Sequence, residues 1–308
     1  MIEDKKIPKW LKGKYVEDNA PRKYITKCPW CGSSKYKEWG KPVRNFNSVQ
    51  CSACKIVYVS NPLSDTAQNT YYQYYPQLVH QLKDESRDKS ERGRSTIKNR
   101  KIMYGIEVDS ILNSHKKYLR GEKNLKILDI GCAGGHFLDY FHERGLTTCG
   151  IDLIEQESNK HKLICGSFTE YNFQDKFDLI TFRGVIEHLS NPKEFLDKTF
   201  NLLKDKESII AITSTPNLAS PAANFFKEKW TLHGPEAHII HFAPSHFNEY
   251  FSKKGYRCIK EKFHYIDSPY SSFIEDIEIF NKFIKTKDSI NQSPPFFESM
   301  MTLCYEKI

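Results

Sequence analysis

The sequence predicts an α/β protein with a doubly wound, mostly parallel sheet of seven strands, preceded by a small cysteine-rich module. Beyond residue 121, apolar strand-like runs alternate with helical patterns, which is typical of parallel sheets covered by helices. Four of the nine cysteines form two Cys-x2-Cys pairs near the start of the chain. With 308 residues, 39% of them hydrophobic and 27% charged, the chain is long enough for one large domain and a small satellite.

The strands predicted for the main sheet lie between residues 121 and 308, and the cysteine module is expected to contain short strands of its own. The main-sheet strands are 125–130, 147–152, 162–167, 177–182, 208–214, 257–266 and 300–307. A helix is predicted over 135–145, with Phe137, Leu138 and Phe141 facing inward and Gly145 ending it. A second helix over 273–285 is predicted as part of an insertion at about 268–296. Its expected apolar face comprises Phe273, Ile274, Ile277, Phe280 and Ile284.

The cysteine pairs predict a metal site in residues 27–60. Its ligands would be Cys28, Cys31, Cys51 and Cys54. Two such knuckles place four thiolates around one tetrahedral Zn²⁺, and four thiolates leave no open position, so the ion is expected to be structural. A disulfide framework is not expected, because the nine cysteines are an odd number and no secretory signal precedes them. In so small a module the Zn²⁺ binding free energy, roughly 10 to 16 kcal/mol, would be folding free energy.

The positive charge is concentrated at the start of the chain. Residues 1–60 contain 13 Lys and Arg against 5 Asp and Glu, whereas residues 61–308 contain 33 of each sign. Such an electropositive module favours an anionic partner, either nucleic acid or a phosphate-bearing small molecule, although a solvated basic surface also explains it. The sequence shows neither a signal peptide nor an apolar run of membrane-spanning length, so a cytoplasmic protein is expected.

Two segments flank the cysteine module. Residues 1–26 are polar and predict a loosely attached arm. Residues 61–120 predict a connector, mostly charged between Asp84 and Arg94, followed by a helical lid with apolar residues near helical spacing. The connector also carries four tyrosines that either line a pocket or pack on the next domain: Tyr71, Tyr72, Tyr74 and Tyr75.

The stretch KILDIGCAGGHF, residues 126–137, places a carboxylate, Asp129, directly before a glycine-rich turn. A carboxylate there would repel a pyrophosphate, so the turn favours a ligand with a cationic group. The second strand ends in Asp152, where a carboxylate accepts both hydroxyls of an adenosine ribose. S-adenosylmethionine carries an ammonium beside a cationic sulfonium and has such a ribose, so it fits both carboxylates.

With these residues, the segment 121–308 resembles class I S-adenosylmethionine-dependent methyltransferases. FDLITFRGVIEHLSNP (177–192) and PEAHIIHFAPSHFNEYFSKKGY (235–256) are similar to two further family blocks. The resemblance implies a Rossmann-like methyltransferase sheet with the methionine moiety near Asp129, the ribose on Asp152 and Arg183 beside the methionine end. It also implies that Gly131, Gly134 and Gly135 surround the methionine moiety, and that Ser167 and Phe168 flank the adenine.

The stretch CKIVYVSNPLSDTAQNTYYQYY, with the zinc ribbon before it, is similar to the subset of this family that modifies sugars. The resemblance implies O-methylation of a sugar or related small molecule, such as a phosphate- or nucleotide-linked glycan precursor, in bacterial glycan or natural-product biosynthesis. The alternative is an RNA base methyltransferase that holds phosphates on its basic ribbon. A third interpretation, an inactive cofactor-binding scaffold, is disfavoured by the intact set of Asp129, Gly131 and Asp152.

A sugar hydroxyl needs a base, and histidine is the natural one near neutral pH. The candidates are His188, in the Glu-His turn after the fourth strand, and the later His233, His238 and His241. A purely structural role for His188, capping the next helix, is the competing interpretation. Relatives that methylate catechol-like acceptors with Mg²⁺ carry an acid three positions before that glutamate, where this chain has Gly184, which weakens a Mg²⁺ proposal.

Overall fold

The computed structural model describes residues 7–12, 15–81, 97–286 and 298–308. Its strands are β1 (Leu11–Lys12), β2 (Tyr15–Val16), β3 (Tyr36–Glu38), β4 (Ser48–Cys51), β5 (Val57–Val59), β6 (Lys126–Ile130), β7 (Thr147–Asp152), β8 (Lys162–Cys165), β9 (Leu179–Arg183), β10 (Ile209–Pro216), β11 (Ile240–His241), β12 (Tyr256–Phe263) and β13 (Met300–Lys307). Its α-helices are α1 (Asp65–Gln81), α2 (Ile97–Leu112), α3 (Lys116–Leu119), α4 (His136–Glu143), α5 (Pro192–Phe200), α6 (Pro221–Phe226), α7 (Pro244–Lys253) and α8 (Phe273–Thr286).

The main sheet contains the seven predicted strands in the order β12-β13-β10-β9-β6-β7-β8. β6 to β10 run parallel, while β13 lies antiparallel between β10 and β12. The predicted α/β fold class, a doubly wound Rossmann-like sheet, is therefore confirmed. Because the strand order reverses around β6, the carboxyl ends of β6, β7 and β9 meet at one edge, where such folds bind ligands.

Helix α4 follows the glycine-rich turn as predicted. Phe137, Leu138 and Phe141 are buried, and they pack on β6 and β7 from one face of the sheet. Gly145 takes a positive φ of 84° just after the helix ends, a conformation that glycine adopts without a steric penalty.

Helix α8 exists, but its predicted apolar face is wrong. Ile279 and Phe280 pack toward Phe226, while the other four predicted members are exposed: Phe273, Ile274, Ile277 and Ile284. The inward face begins at Asp276 and continues through Ile279, Phe280 and Phe283. Asp276 is fully buried and accepts a hydrogen bond of 2.8 Å from the Tyr265 hydroxyl. A satisfied buried carboxylate thus lies on the inward face, at a position outside the predicted apolar set.

The cysteine-rich module forms a second sheet with the order β11-β5-β4-β3. β11 lies between α6 and α7 in the sequence and pairs antiparallel with β5, matching Ile240 with Tyr58. In the predicted arm, Leu11 and Val16 are buried in a small core that also contains Phe46. The charged run predicted between residues 84 and 94 lies outside the described residues.

In the described part of the chain, no helix combines the length and apolar character needed to cross a membrane.

Candidate active site

The glycine-rich turn after β6 is shaped by close contacts. Gly131 has a φ of 72°, and a Cβ on it would lie 2.5 Å from a methyl carbon of Val185. Gly135 has a φ of 77°, and its Cβ would lie 2.8 Å from the His161 ring. Both positions therefore require glycine. A Cβ on Gly134 would make only ordinary contacts, 3.7 Å from Gln156 and from His136, and Gly134 helps line a cleft of about 890 Å³ beside the start of α4.

Asp152 ends β7 and faces the same turn. Its Oδ2 accepts a hydrogen bond of 2.9 Å from the Ala133 backbone N–H, and its Oδ1 accepts one of 3.1 Å from the Ile154 N–H. These bonds fix the carboxylate against the glycine turn. Since each carboxylate oxygen accepts two hydrogen bonds, the group keeps capacity for two ligand hydroxyls.

Asp129 is buried in β6 below the turn, with 2% of its surface exposed. The Thr181 hydroxyl donates a hydrogen bond of 2.6 Å to its Oδ1. Burial raises the pKa of Asp129 to about 7, against the opposing effects of Thr181 and Arg183. A cation bound nearby would stabilise the ionised form.

Arg183, at the end of β9, is held by helix α2. Its Nε donates a hydrogen bond of 2.6 Å to Glu107, and its guanidinium lies 4.3 Å from the centre of the Tyr104 ring. Glu107 is almost completely buried, so this pair is shielded from solvent. Sequence analysis missed Glu107, although an acidic residue inside the apolar stretch of α2 was the available signal.

The two predicted adenine neighbours follow β8. The Ser167 hydroxyl lies 3.0 Å from that of Thr169 and is partly exposed. Phe168 is buried and stacks on Phe195 with ring centres 5.6 Å apart. The structure therefore places Ser167 at the surface of this edge and Phe168 beneath it.

A short 3-10 turn, Ile186–His188, follows β9 and carries the Glu-His pair. Glu187 is buried, and its Oε2 accepts a hydrogen bond of 3.2 Å from Thr215. Burial raises the pKa of Glu187 to about 8. Burial and the neighbouring His238 lower the pKa of His188 to about 3, so the ring is neutral at physiological pH.

The connector helix α1 holds His188 in place. Gln68 donates a hydrogen bond of 3.1 Å to the His188 carbonyl, and the Tyr72 hydroxyl lies 3.0 Å from the His188 Nδ1. Of the two interpretations of the tyrosines, Tyr72 fits contact with the site, whereas Tyr71 is buried in the neighbouring core. Gln68 carried no recognisable signal in the sequence.

The later histidines extend this site inward. The rings of His188 and His238 lie 4.9 Å apart, and those of His233 and His241 lie 5.4 Å apart. His241 is fully buried in β11, and neither of its ring nitrogens has a hydrogen-bond partner among the described residues. Trp39 of the cysteine module stacks on His241 at 6.2 Å. The structure thus brings all four candidate histidines together.

Residues 100–261, more than half of the chain, match the protein family described as "Methyltransferase domain". The chain belongs to this methyltransferase-domain family. The matched segment contains Asp129, Asp152, Arg183 and the Glu-His turn, so the candidate active site lies within the methyltransferase domain.

Curated relatives match part of the chain. The chain is 28% identical over 105 residues to a ubiquinone biosynthesis O-methyltransferase of Pseudomonas fluorescens, covering 30% of this chain and 45% of that protein. It is 30% identical over 122 residues to the protein of the same name from Idiomarina loihiensis, covering 35% and 49%. The chain spans about half the length of these relatives.

Among solved structures, the chain is similar to a 1,6-didemethyltoxoflavin-N1-methyltransferase of Burkholderia thailandensis. The sequences are 13% identical, the TM-score is 0.47, and the alignment covers 84% of this chain and 95% of that one.

The four module cysteines come together beside the methyltransferase domain. The Sγ atoms of Cys28 and Cys54 lie 3.6 Å apart, those of Cys31 and Cys51 lie 3.5 Å apart, and all four lie within 4.8 Å of one another. Tetrahedral Zn²⁺ with Zn–S bonds of about 2.3 Å places sulfurs about 3.8 Å apart, so this thiol set fits the ion. The domain contacts the cluster through His246, whose Nε2 lies 2.8 Å from the Cys54 carbonyl oxygen and donates to it.

Proposed function

We propose that the chain is an S-adenosylmethionine-dependent methyltransferase that binds its cofactor at the β6–β7 edge. The observation that carries this proposal is the pair Asp129 and Asp152 on either side of an open glycine turn, within the segment that matches the family. An anionic pair at this turn suits a cationic cofactor with a ribose and disfavours a pyrophosphate.

In this proposal each residue has a defined task. Asp152 accepts the ribose hydroxyls, while Asp129 provides negative charge beneath the methionine moiety. Arg183, fixed by Glu107, lies beside the methionine end, and Ser167 with Phe168 borders the adenine. Gly131, Gly134 and Gly135 let the backbone approach the cofactor. When bound, S-adenosylmethionine supplies a methyl group activated by a cationic sulfur.

The proposed acceptor is a hydroxyl of a small molecule, most specifically a sugar of a glycan or natural product. The O-methyltransferase names of the curated relatives support oxygen as the methylated atom. His188 supports a site for such a hydroxyl, because it lies in the turn after β9, close to Arg183 in sequence and only partly buried. Its low pKa makes it a weak proton acceptor on its own.

RNA remains the second candidate because of the excess positive charge in residues 1–60. Part of that charge is neutralised within the chain: Lys23 pairs with Asp65 at 2.5 Å and Arg44 pairs with Glu236. The lysines of this segment that are exposed and would meet phosphates include Lys27, Lys35, Lys37 and Lys41. A phosphate- or nucleotide-linked sugar would use the same lysines, so the basic module favours neither acceptor. The O-methyltransferase names of the curated relatives support the small-molecule acceptor.

We also propose that Cys28, Cys31, Cys51 and Cys54 hold a structural Zn²⁺. The close approach of their sulfurs supports this assignment, and four protein ligands leave no position for a substrate.

The deciding experiment offers the zinc-loaded protein two acceptor pools with S-adenosylmethionine, nucleotide sugars and glycan fragments in one and total RNA in the other. Formation of S-adenosylhomocysteine with the sugar pool alone is expected. Turnover with RNA alone would assign the basic module to RNA recognition and reverse the preference.

A further inference from the structure

Three potential metal ligands meet beside the Glu-His turn. A carboxylate oxygen of Glu187 and ring nitrogens of His188 and His238 all lie within 4.8 Å of one another. The first two belong to the turn after β9, and the third comes from the segment before β11. Glu187 is buried, whereas both histidines are partly exposed, so the cluster is accessible from solvent.

Backbone carbonyl groups orient both rings. The His188 Nδ1 lies 2.8 Å from the Ala237 carbonyl oxygen, and the His238 Nδ1 lies 2.7 Å from the Leu232 carbonyl oxygen. A carbonyl oxygen only accepts hydrogen bonds, so the tautomer with a proton on each Nδ1 satisfies these two contacts. In this tautomer each neutral ring keeps an unshared electron pair on Nε2. Metal-binding histidines are commonly oriented in this way.

The groups around the cluster are mainly acceptors. The His188 Nε2 lies 4.0 Å from the Glu187 Oε1, and the Gly184 carbonyl oxygen also faces the His188 ring. Among the described residues, the Thr215 hydroxyl donates to the Glu187 carboxylate, but through the other oxygen, Oε2. Electron pairs converging on one point repel one another unless a cation or a proton lies between them.

We propose that Glu187, His188 and His238 form a binding site for a borderline divalent metal ion of the Co²⁺ or Zn²⁺ type. Imidazole nitrogens favour such ions, whereas Mg²⁺ prefers oxygen ligands. Gly184 provides no carboxylate, and His238 supplies the third ligand from another segment. Ligand atoms about 2.0 to 2.2 Å from the ion would lie about 3.4 Å apart, so the side chains need to close by less than about 1.5 Å.

Three protein ligands leave at least one position open on the ion, as in catalytic metal sites. Its use there rests on the proposed function: the acceptor hydroxyl would bind the ion and lose its proton to water. Its oxygen would then form the bond to the methyl carbon while the S–CH3 bond breaks and its electron pair stays on sulfur. This role compensates for the weak basicity of His188.

The test is a Co²⁺ titration of protein whose cysteine cluster is already filled with Zn²⁺, followed by calorimetry and visible absorption. We expect a cobalt site without the strong thiolate charge-transfer bands of a cysteine site. The cobalt site should be lost in each of three variants: His188→Ala, His238→Ala and Glu187→Gln. The control His136→Ala, which changes an exposed histidine, should retain the site. Glu187→Gln preserves side-chain shape, and circular dichroism verifies that each variant is folded.

Absence of this Co²⁺ site in the wild type, or equal Co²⁺ affinity in the wild type and all three ligand variants, would overturn the proposal. S-adenosylmethionine titrations on the same samples separate this result from the proposed function. Co²⁺ binding without cofactor binding would leave the metal site standing and refute the methyltransferase. Co²⁺ binding combined with turnover that is insensitive to removal of the ion would refute its role on the acceptor.

Discussion

Ser48 of β4 and His233 of the methyltransferase domain share a hydrogen bond of 2.7 Å, and both residues are buried. Trp39 of the same module lies 5.3 Å from the His233 ring. The cysteine-rich module therefore forms one wall of the histidine cluster, and it reaches the candidate active site through side chains as well as through strand pairing.

Ser48→Ala should destabilise the protein by about 1 to 3 kcal/mol, because it leaves the buried His233 Nε2 without its partner. The free energy of unfolding from urea denaturation measures the effect. Ser52→Ala is the matched control, since Ser52 is exposed in the same module. Equal stability of the two variants would show that the Ser48–His233 contact contributes nothing.

Asp152→Ala should weaken S-adenosylmethionine binding roughly 10- to 100-fold, since hydrogen bonds to a charged group contribute about 1.5 to 3 kcal/mol. Isothermal titration calorimetry gives the affinity. Asp109→Ala, which removes an exposed carboxylate paired with Arg144, is the control and should bind normally. Wild-type affinity in Asp152→Ala would refute the ribose assignment.

Cofactor binding should release a proton near pH 6.5. Burial raises the pKa of Asp129 to about 7, so the group is largely protonated in the free protein below that pH. A bound cation lowers this pKa and expels the proton, whereas above about pH 8 the group has already ionised and release should fade. Binding enthalpies in buffers of different ionisation enthalpy count the protons.

Asp129→Asn is the control for this linkage, because it keeps the shape of the side chain but has no proton to release. Undiminished release in Asp129→Asn would assign the proton to another group. Glu187→Gln tests whether Glu187 contributes to the released proton, because burial raises the pKa of that carboxyl group to about 8.

His188→Ala should lower turnover by about 10² to 10⁴-fold, the usual contribution of a group that assists proton removal, and leave S-adenosylmethionine affinity unchanged. The kcat from steady-state assays and the Kd from calorimetry separate the two effects. His142→Ala, which changes an exposed histidine in the last turn of α4, provides the comparison. Normal turnover in His188→Ala would move the role to His238 or His241, or to none of them.

Cys28→Ser should lose the bound zinc and lower the melting temperature sharply, because the metal free energy supports the folding of the module. Cys165→Ser changes an exposed cysteine outside the cluster, so this variant should retain the zinc and the wild-type melting temperature. Elemental analysis and thermal denaturation provide the readouts. Full zinc content in Cys28→Ser would contradict the four-cysteine site.

Local sequence patterns predicted the strands of the main sheet and the helix after the glycine turn. Apolar runs, a glycine turn and the topology of parallel strands predict the seven strands, helix α4 and the placement of Asp129 and Asp152 at one sheet edge. Helix α8 was predicted, but its buried face was not. Asp276 lies on that face because Tyr265, which precedes the helix, donates a hydrogen bond to the carboxylate.

Sequence patterns did not predict contacts between segments that are distant in the chain. Helix α1 contains Pro76, and a proline normally argues against a helix interior. The sequence therefore did not predict this helix or its contacts with His188. The Arg183–Glu107 pair and the stack of Trp39 on His241 join residues from different elements, and no spacing rule relates them. Such pairs depend on tertiary packing.

The pairing of Tyr58 with Ile240 has a consequence for synthesis on the ribosome. β5 is translated early, but its neighbour β11 emerges only after most of the methyltransferase domain. Until then the nascent chain exposes an unpaired strand edge, a known starting point for aggregation. If Cys28, Cys31, Cys51 and Cys54 bind metal early, the module folds and β5 is ordered before β11 is synthesised. The supply of zinc during translation should therefore limit the yield of folded protein.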